Sequence, residues 1–414
     1  MKLCTIVLVL VAAPAWADGR GQSFVFVEES SRLPADTSLP GTSSTDVDLV
    51  DVDGDHDLDL FIAEGTDSVA PRPNRLLLNR RGVFTDVSAT HLPPAVANST
   101  KVDFGDLDAD GDLDAVVANV GGEQLLINDG HGVFVDRSAA QLPAPLPLFQ
   151  DITADVRLAD VDGDGDLDAL LSNENPFDPS PTGGAQNRLW INDGNAVFSD
   201  QTAARLPAAT DQTGAMLAGD VDGDGDLDVV VLNRGQERVL INNGAGVFAD
   251  ETAARFPVTT DSSRGGGLAD LDGDCDLDLV VANSRSQPVA LYINRHGVFQ
   301  ARAFGAVPLA GETDTGLELV DLDDDGALDV YIPNAGPFTA GHGFGGGPDR
   351  YFRNNGRGHF QERTDRHFPG VLDPTTDAAF GDIDRDGDLD LVVGNSGENG
   401  GERVFIQRRR GRSH

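Results

Sequence analysis

The sequence predicts an all-β protein: a seven-bladed β-propeller of four-stranded blades, its ring closed by an N-terminal strand that completes the last blade. Three observations predict it. An aspartate-studded nonapeptide recurs seven times, with first residues 55, 54, 60, 50, 51 and 61 positions apart. Each copy sits in a unit of four short strand-like runs separated by turn residues, the signature of a propeller blade. Helical periodicity is absent throughout.

Residues 1 to 17 come first and read as a secretory signal: Lys2 gives the positive end, Ile6 to Ala13 the apolar stretch, and Ala15-Trp16-Ala17 the small-x-small cleavage site. The apolar stretch is too short to span a bilayer, so the expectation is a chain exported to periplasm, cell surface or medium, with no membrane insertion. Residues 18 to 414 are expected to form one domain. After cleavage Cys275 would be the only cysteine, which leaves no intrachain disulfide to brace it.

The units follow one pattern. A lead-in such as Lys101 to Gly105 (KVDFG) precedes the nonapeptide, and a β-branched run such as Leu113 to Asn119 follows it. A variable connection then leads to a third run such as Gln124 to Asn128 (QLLIN), a Gly-containing turn, and a fourth run such as Gly132 to Arg137. The phenylalanine of the fourth run also counts to seven: Phe26, Phe84, Phe134, Phe198, Phe248, Phe299 and Phe360. Phe26, however, precedes the first nonapeptide, and the last unit ends at Arg403 to Gln407 (RVFIQ) with only a tail beyond. Ser23 to Glu28 (SFVFVE) therefore reads as the outer strand of the seventh blade, a closure that buries both sheet edges. The tail Arg408 to His414 (RRRGRSH) reads as a solvated chain end.

Five acidic residues in each of seven nonapeptides make 35 of the 69 in the chain, so the formal charge of −39 (−40 without Lys2) is concentrated there. That balance excludes nucleic acid and anionic membrane as partners, since both require basic patches. It also demands counter-ions, because clustered carboxylates repel one another and oppose the compact state. The nonapeptides supply hard oxygen donors at alternate positions, which suits Ca²⁺ with its six to eight flexible ligands better than Mg²⁺. Positions 1, 3, 5 and 9 offer carboxylates and position 7 its backbone carbonyl. The candidate ligands are Asp51, Asp53, Asp55, Asp57 and Asp59; Asp106, Asp108, Asp110, Asp112 and Asp114; Asp160, Asp162, Asp164, Asp166 and Asp168; and Asp220, Asp222, Asp224, Asp226 and Asp228. The later units add Asp270, Asp272, Asp274, Asp276 and Asp278; Asp321, Asp323, Asp325, Ala327 and Asp329; and Asp382, Asp384, Asp386, Asp388 and Asp390, for up to seven Ca²⁺. Ala327 has no side-chain donor, which fits a backbone role at position 7. Position 6 needs the sharp bend that glycine gives, and His56 and Cys275 stand there instead in the first and fifth copies. An EF-hand loop is excluded: it runs to twelve residues, ends in a bidentate Glu and joins helices.

The D-x-D-x-D-G-x-L-D string, Phe104-Gly105 and Phe380-Gly381 directly before two copies, and the N-x-G-x-G-x-F turns at Asn128 to Phe134 and Asn354 to Phe360 together resemble the FG-GAP and VCBS repeats of secreted bacterial proteins and integrin α-subunits. The resemblance covers residues 23 to 407. It implies a seven-bladed propeller whose calcium loops join first and second strands on one face, with Asp51, Asp53, Asp55, Asp59 and their counterparts as ligands.

Recognition is then expected on the opposite face. Two connections there are enlarged, Glu174 to Gln186 and Ala335 to Asp349, and Phe177, Phe338 and Phe344 are candidate exposed aromatics. The apolar stretch Leu142 to Phe149 is either lid or contact surface. No GxSxG, HExxH or GxxxxGK[ST] string occurs, so no catalytic residue is assigned. The expected function is a secreted, monomeric calcium-binding module for an extracellular protein or polysaccharide. The alternative is a polysaccharide-degrading lyase or glycosidase on the same scaffold, which carboxylates of this number leave open.

Overall fold

A computed structural model describes residues 24–34, 43–65, 72–94, 96–146, 152–175, 180, 183–284, 287–304, 316–336, 338–339, 343–370, 372–396 and 401–409. The signal segment 1–17, Phe177 and residues 410–414 of the tail lie outside them, as do residues 147–149.

The first strand, β1 (Phe24–Glu28), stands apart from its neighbours in sequence. Blade 1 comprises β2 (Ser43–Val50), β3 (Asp59–Gly65), β4 (Arg75–Asn79) and β5 (Phe84–Asp86). Blade 2 comprises β6 (Ser99–Gly105), β7 (Asp114–Asn119), β8 (Gln124–Asn128) and β9 (Phe134–Asp136). Blade 3 holds β10 (Thr153–Ala159), β11 (Asp168–Asn173), β12 (Arg188–Asn192) and β13 (Phe198–Asp200). Blade 4 holds β14 (Thr213–Gly219), β15 (Asp228–Gly235), β16 (Arg238–Asn242) and β17 (Phe248–Asp250). Blade 5 runs through β18 (Asp261–Ala269), β19 (Asp278–Asn283), β20 (Ala290–Asn294) and β21 (Phe299–Arg302). Blade 6 has β22 (Glu318–Val320), β23 (Asp329–Ile332), β26 (Arg350–Asn354) and β27 (Phe360–Glu362), with a small ladder of β24 (Phe338–Thr339) and β25 (Gly343–Phe344) between them. Blade 7 is β28 (Thr375–Gly381), β29 (Asp390–Asn395) and β30 (Arg403–Arg409), and its fourth strand is β1. Phe26 pairs with Gln407 in an antiparallel ladder, so the first and last strands of the chain share one sheet as expected. The sheets of blades 4 and 5 are joined where Arg234 and Gly235 pair with Ser262 and Asp261.

The second strand of each blade is buried along its whole length within the blade, as in Asp114–Asn119 (DAVVAN) and Asp390–Asn395 (DLVVGN). It lies mid-sheet with a neighbouring blade on either face, so a continuous apolar run is favoured over alternation. Fourth strands are edges, and in blades 1 to 5 they bury only their first residue, as at Phe84, Phe134 and Phe198. Among the described residues the core divides into seven clusters, one per blade interface. Val47, Leu60 and Ile62 of blade 1 pack with Ile383, Val392 and Val404 of blade 7, and an open array of seven blades would have six such interfaces.

Two expectations are corrected. One-turn helices follow the fourth strand at Ser88–His91, Ser138–Gln141, Thr202–Arg205, Thr252–Arg255 and Thr364–His367. Arg408 and Arg409 are not part of a solvated tail but end β30, and Arg409 is ion-paired to Asp388 at 2.6 Å.

Candidate metal centres

Each nonapeptide forms the tight connection between the first and second strands of its blade. Its first aspartate organises the bend. In the third loop Asp160 Oδ1 accepts the N–H of Gly163 at 2.8 Å, and Oδ2 that of Gly165 at 3.0 Å. The position-6 N–H makes this second bond in all seven loops, including His56 to Asp51 and Cys275 to Asp270, both at 2.9 Å. The departures from glycine thus leave the bend intact. Position 5 accepts the N–H of position 7 throughout, including Ala327 to Asp325 at 3.0 Å.

Position 6 has positive φ in every loop, from 70° at His56 and Cys275 to 99° at Gly165 and Gly225. Position 4 does too, which sequence reasoning missed: Ala109, Asp324 and Arg385 stand there at φ 62°, 56° and 62°, masking what the glycines at 54, 163, 223 and 273 would otherwise signal. A Cβ at Gly163, Gly165, Gly223 or Gly225 would meet nothing within 4 Å, so backbone conformation and not space selects glycine there.

The ninth residue is fully buried. Asp114 Oδ2 accepts the N–H of Leu107 at 3.1 Å and Oδ1 that of Asn128 at 2.9 Å, and the arrangement recurs at Asp59, Asp168, Asp228, Asp278 and Asp390. In blade 6 the Tyr351 hydroxyl donates to Asp329 Oδ2 at 2.6 Å and Asn354 N–H to Oδ1. Burial first, and neighbouring carboxylates second, push these acids up against the pull of the N–H donors: Asp114 and Asp228 to about 6, Asp59, Asp168 and Asp278 to about 7, Asp329 and Asp390 to about 8.

The loops bring positions 1, 3 and 9 together. One oxygen from each of Asp51, Asp53 and Asp59 lies within 4.8 Å of the others, and the same holds for Asp106, Asp108 and Asp114; Asp160, Asp162 and Asp168; Asp220, Asp222 and Asp228; and Asp270, Asp272 and Asp278. Positions 5 and 7 are not in those triads. The Oδ1 atoms of Asp108, Asp162, Asp222, Asp323 and Asp384 are buried without a hydrogen-bond partner. A buried anionic oxygen with no donor is costly, and an all-oxygen donor set of this kind fits a hard divalent cation.

A second set of residues was missed as a device. The amide Nδ2 of the residue ending each third strand donates to a main-chain carbonyl in the loop of the preceding blade: Asn128 to Val52, Asn192 to Leu107, Asn242 to Val161, Asn294 to Val221 and Asn354 to Leu271, at 2.7–2.9 Å. Asn79 reaches Ile383 of blade 7 and Gln407 reaches Leu322 of blade 6. The signal was the asparagine at the head of the N-x-G turns, which the sequence reading assigned to the turn alone.

On the opposite face Phe338 pairs with Phe344 in the small ladder of the enlarged blade 6 connection. That connection ends at Asp349, which accepts from the Tyr331 hydroxyl at 2.7 Å and is pushed up to about 7 by burial. A cavity of about 150 Å³ opens beside it between blades 6 and 7, lined by Tyr331, Pro348, Phe368 and Phe405. Among the described residues no helix is long and apolar enough to cross a membrane.

The profile of the FG-GAP-like repeat matches residues 51–117, 106–171, 180–231, 220–281, 270–332 and 338–393. No curated protein matches the chain. Among solved structures, BBS1N in complex with ARL6DN, soaked with lead, is 12% identical with a TM-score of 0.55, over 95% of this chain and 99% of that one. An Agrocybe aegerita lectin that recognises non-reducing terminal N-acetylglucosamine is 16% identical with a TM-score of 0.45, over 95% and 86%. The extracellular domain of the hybrid two-component system BT3049 from B. thetaiotaomicron is 9% identical with a TM-score of 0.49, over 92% of this chain and 42% of that one.

Proposed function

Because the chain belongs to the FG-GAP-like repeat family, we propose that it is a secreted interaction module whose loops are braced by structural Ca²⁺ and whose opposite face binds an extracellular protein or polysaccharide. The observation that carries the metal reading is the recurring triad of positions 1, 3 and 9, with buried, donorless oxygens at position 3. Bound there, calcium supplies positive charge: seven ions would cancel 14 of the 39 net negative charges. The residues hold and orient. Position 9 is fixed by two donors, position 1 by the bend, and position 3 presents a free oxygen in five of the seven loops. Export rests on the charge, apolar stretch and cleavage pattern of residues 1 to 17. The opposite face is favoured for recognition because its connections are the variable part of the repeat and the loops' own face is committed to the bends.

Calorimetric unfolding of the mature chain tests the metal reading. At calcium ten times above the dissociation constant each site adds about 1.4 kcal/mol, so several sites should separate the midpoints with calcium and with EDTA by many degrees. Coincident midpoints would reject it. A glycan array on the same preparation tests the partner class, and depolymerisation of a bound glycan would replace the module by an enzyme.

A further inference from the structure

The seven loops are not surrounded by the same charge. In blades 2, 3 and 4 the residue after the turn asparagine or its equivalent is Asp129, Asp193 or Asn243, whereas blades 1, 5 and 7 have Arg80, Arg295 and Arg408. Blade 6 has Asn355, but Arg353 two positions earlier takes over the task. The geometry follows the sequence. Arg295 Nη2 lies 2.7 Å from Asp272 Oδ2 while its Nη1 pairs with Asp274. Arg353 Nε lies 2.5 Å from Asp323 Oδ2 and Nη2 2.7 Å from Asp325 Oδ2. Arg408 reaches Asp386 at 3.6 Å, and Arg409 Nε reaches Asp388 at 2.6 Å. The first loop is served from its neighbour, since Arg385 of the seventh places Nε 2.5 Å from Asp57 Oδ1 and Nη2 3.8 Å from Asp55 Oδ1.

At position 5, then, Asp55, Asp274, Asp325 and Asp386 each have a guanidinium partner. Among the described residues Asp110, Asp164 and Asp224 have no ion pair. Arg205 and Arg255 do approach the third and fourth loops, at 3.2 and 3.0 Å, but they pair with Oδ2 of Asp162 and Asp222 at position 3 and not with position 5.

We propose that the loops fall into two classes: 106–114, 160–168 and 220–228, whose position 5 is unpaired, take their divalent cation tightly, while 51–59, 270–278, 321–329 and 382–390 carry a guanidinium counter-ion on position 5 and fill only at higher cation concentration. The inference rests on the metal reading above and adds which sites fill first. A guanidinium on the position-5 carboxylate satisfies charge beside the triad that an entering cation would otherwise neutralise, and the two cations repel at close range. Each partly exposed pair weakens the competing ion modestly, so one arginine with two carboxylates lowers affinity about fivefold. The consequence is geometric. Three contiguous blades keep their metal as calcium falls, while the blades on both sides of the chain-end seam exchange it for arginine pairs.

Isothermal titration of the chelator-stripped mature chain with CaCl₂ tests this. The expected isotherm has two classes, the tighter holding three sites. Arg295→Gln and Arg353→Gln, made separately, should each move one site into the tighter class, giving four. Arg137→Gln, remote from the loops, should leave the isotherm unchanged. Seven equivalent sites, or variants with three tight sites still, would overturn the proposal while leaving the metal reading intact. No binding by the unmodified chain would overturn both.

Discussion

Two residues in every nonapeptide occupy the left-handed region, and only the third and fourth loops have glycine at both positions. Elsewhere a side chain bears the conformation: His56, Ala109, Cys275, Asp324 or Arg385. An L-residue there costs about 1–2 kcal/mol, partly offset because glycine loses more entropy on folding. Ala109→Gly should therefore stabilise the chain by about 0.5–1 kcal/mol in guanidinium unfolding. Gly165→Ala, at φ 99° with open space around it, should destabilise by about 1 kcal/mol for backbone reasons alone. Equal unfolding midpoints for either pair would show that the bend tolerates side chains freely. Position 6 was legible in the sequence because five of seven copies have glycine there. Position 4 was not, because three copies fill it with Ala, Asp or Arg and the constraint shows only in φ. The triads were legible as candidate ligands. What the sequence could not show is that position 9 already spends both oxygens on N–H groups, or in blade 6 on one N–H and the Tyr351 hydroxyl, or that position 5 spends one on position 7.

Strands were legible where they bury a face and helices were not where they are one turn long. Four residues such as Ser138–Gln141 cannot display a 3.6-residue period, yet their first residue fixes them: Leu125 N–H donates to Ser138 Oγ at 2.9 Å, and Val239 N–H to Thr252 Oγ1 at 3.0 Å. The fourth strand of blade 7 was legible because phenylalanines could be counted independently of the loops. Between blades, the asparagine bridge is the polar counterpart of the apolar clusters. Asn242 Nδ2 holds Val161 O at 2.7 Å in the preceding blade and Leu227 O at 2.9 Å in its own. Asn242→Ala should cost about 2–3 kcal/mol, because two carbonyls lose a buried donor. Chemical denaturation measures it. A cost below about 0.5 kcal/mol would mean that water replaces the amide and that apolar packing alone registers the blades. Gln407 makes the same bridge from the seventh blade at 3.4 Å, so an extra methylene is tolerated at the seam.

At the scale of the ring, first strands from five blades gather charge at the centre: Asp46 and Asp48, Lys101 and Asp103, Asp155 and Arg157, Glu318, and Asp377. Six carboxylates face two cations, with Lys101 3.4 Å from Asp377 and Arg157 3.9 Å from Asp103. Three of the acids also join blades: Asp377 accepts the N–H of Val47 at 3.1 Å, Asp46 that of Val102 at 2.7 Å, and Asp103 that of Leu158 at 2.8 Å. Among the described residues Glu318 and Asp155 make no such bridge to the next blade. Burial pushes Glu318 up to about 7 and Asp155 to about 6, against the pull of Lys101 and Arg157 and with help from neighbouring carboxylates. Because both values rise above the ordinary 4.5 and 3.8, the folded chain holds these protons more tightly than the unfolded one. The stability they contribute is complete below about pH 4 and is lost as pH climbs through 6 and 7. In EDTA, the unfolding free energy should therefore fall between pH 5 and pH 8, and the raised position-9 aspartates add to the same slope. Glu318→Gln removes one titrating charge without changing shape, so it should flatten that fall and leave the variant more stable than the parent at pH 8 but not at pH 5. Parallel pH profiles for the two chains would place Glu318 in water, and the charges of the first strands would then act as separate surface pairs and not as one buried network shared around the ring.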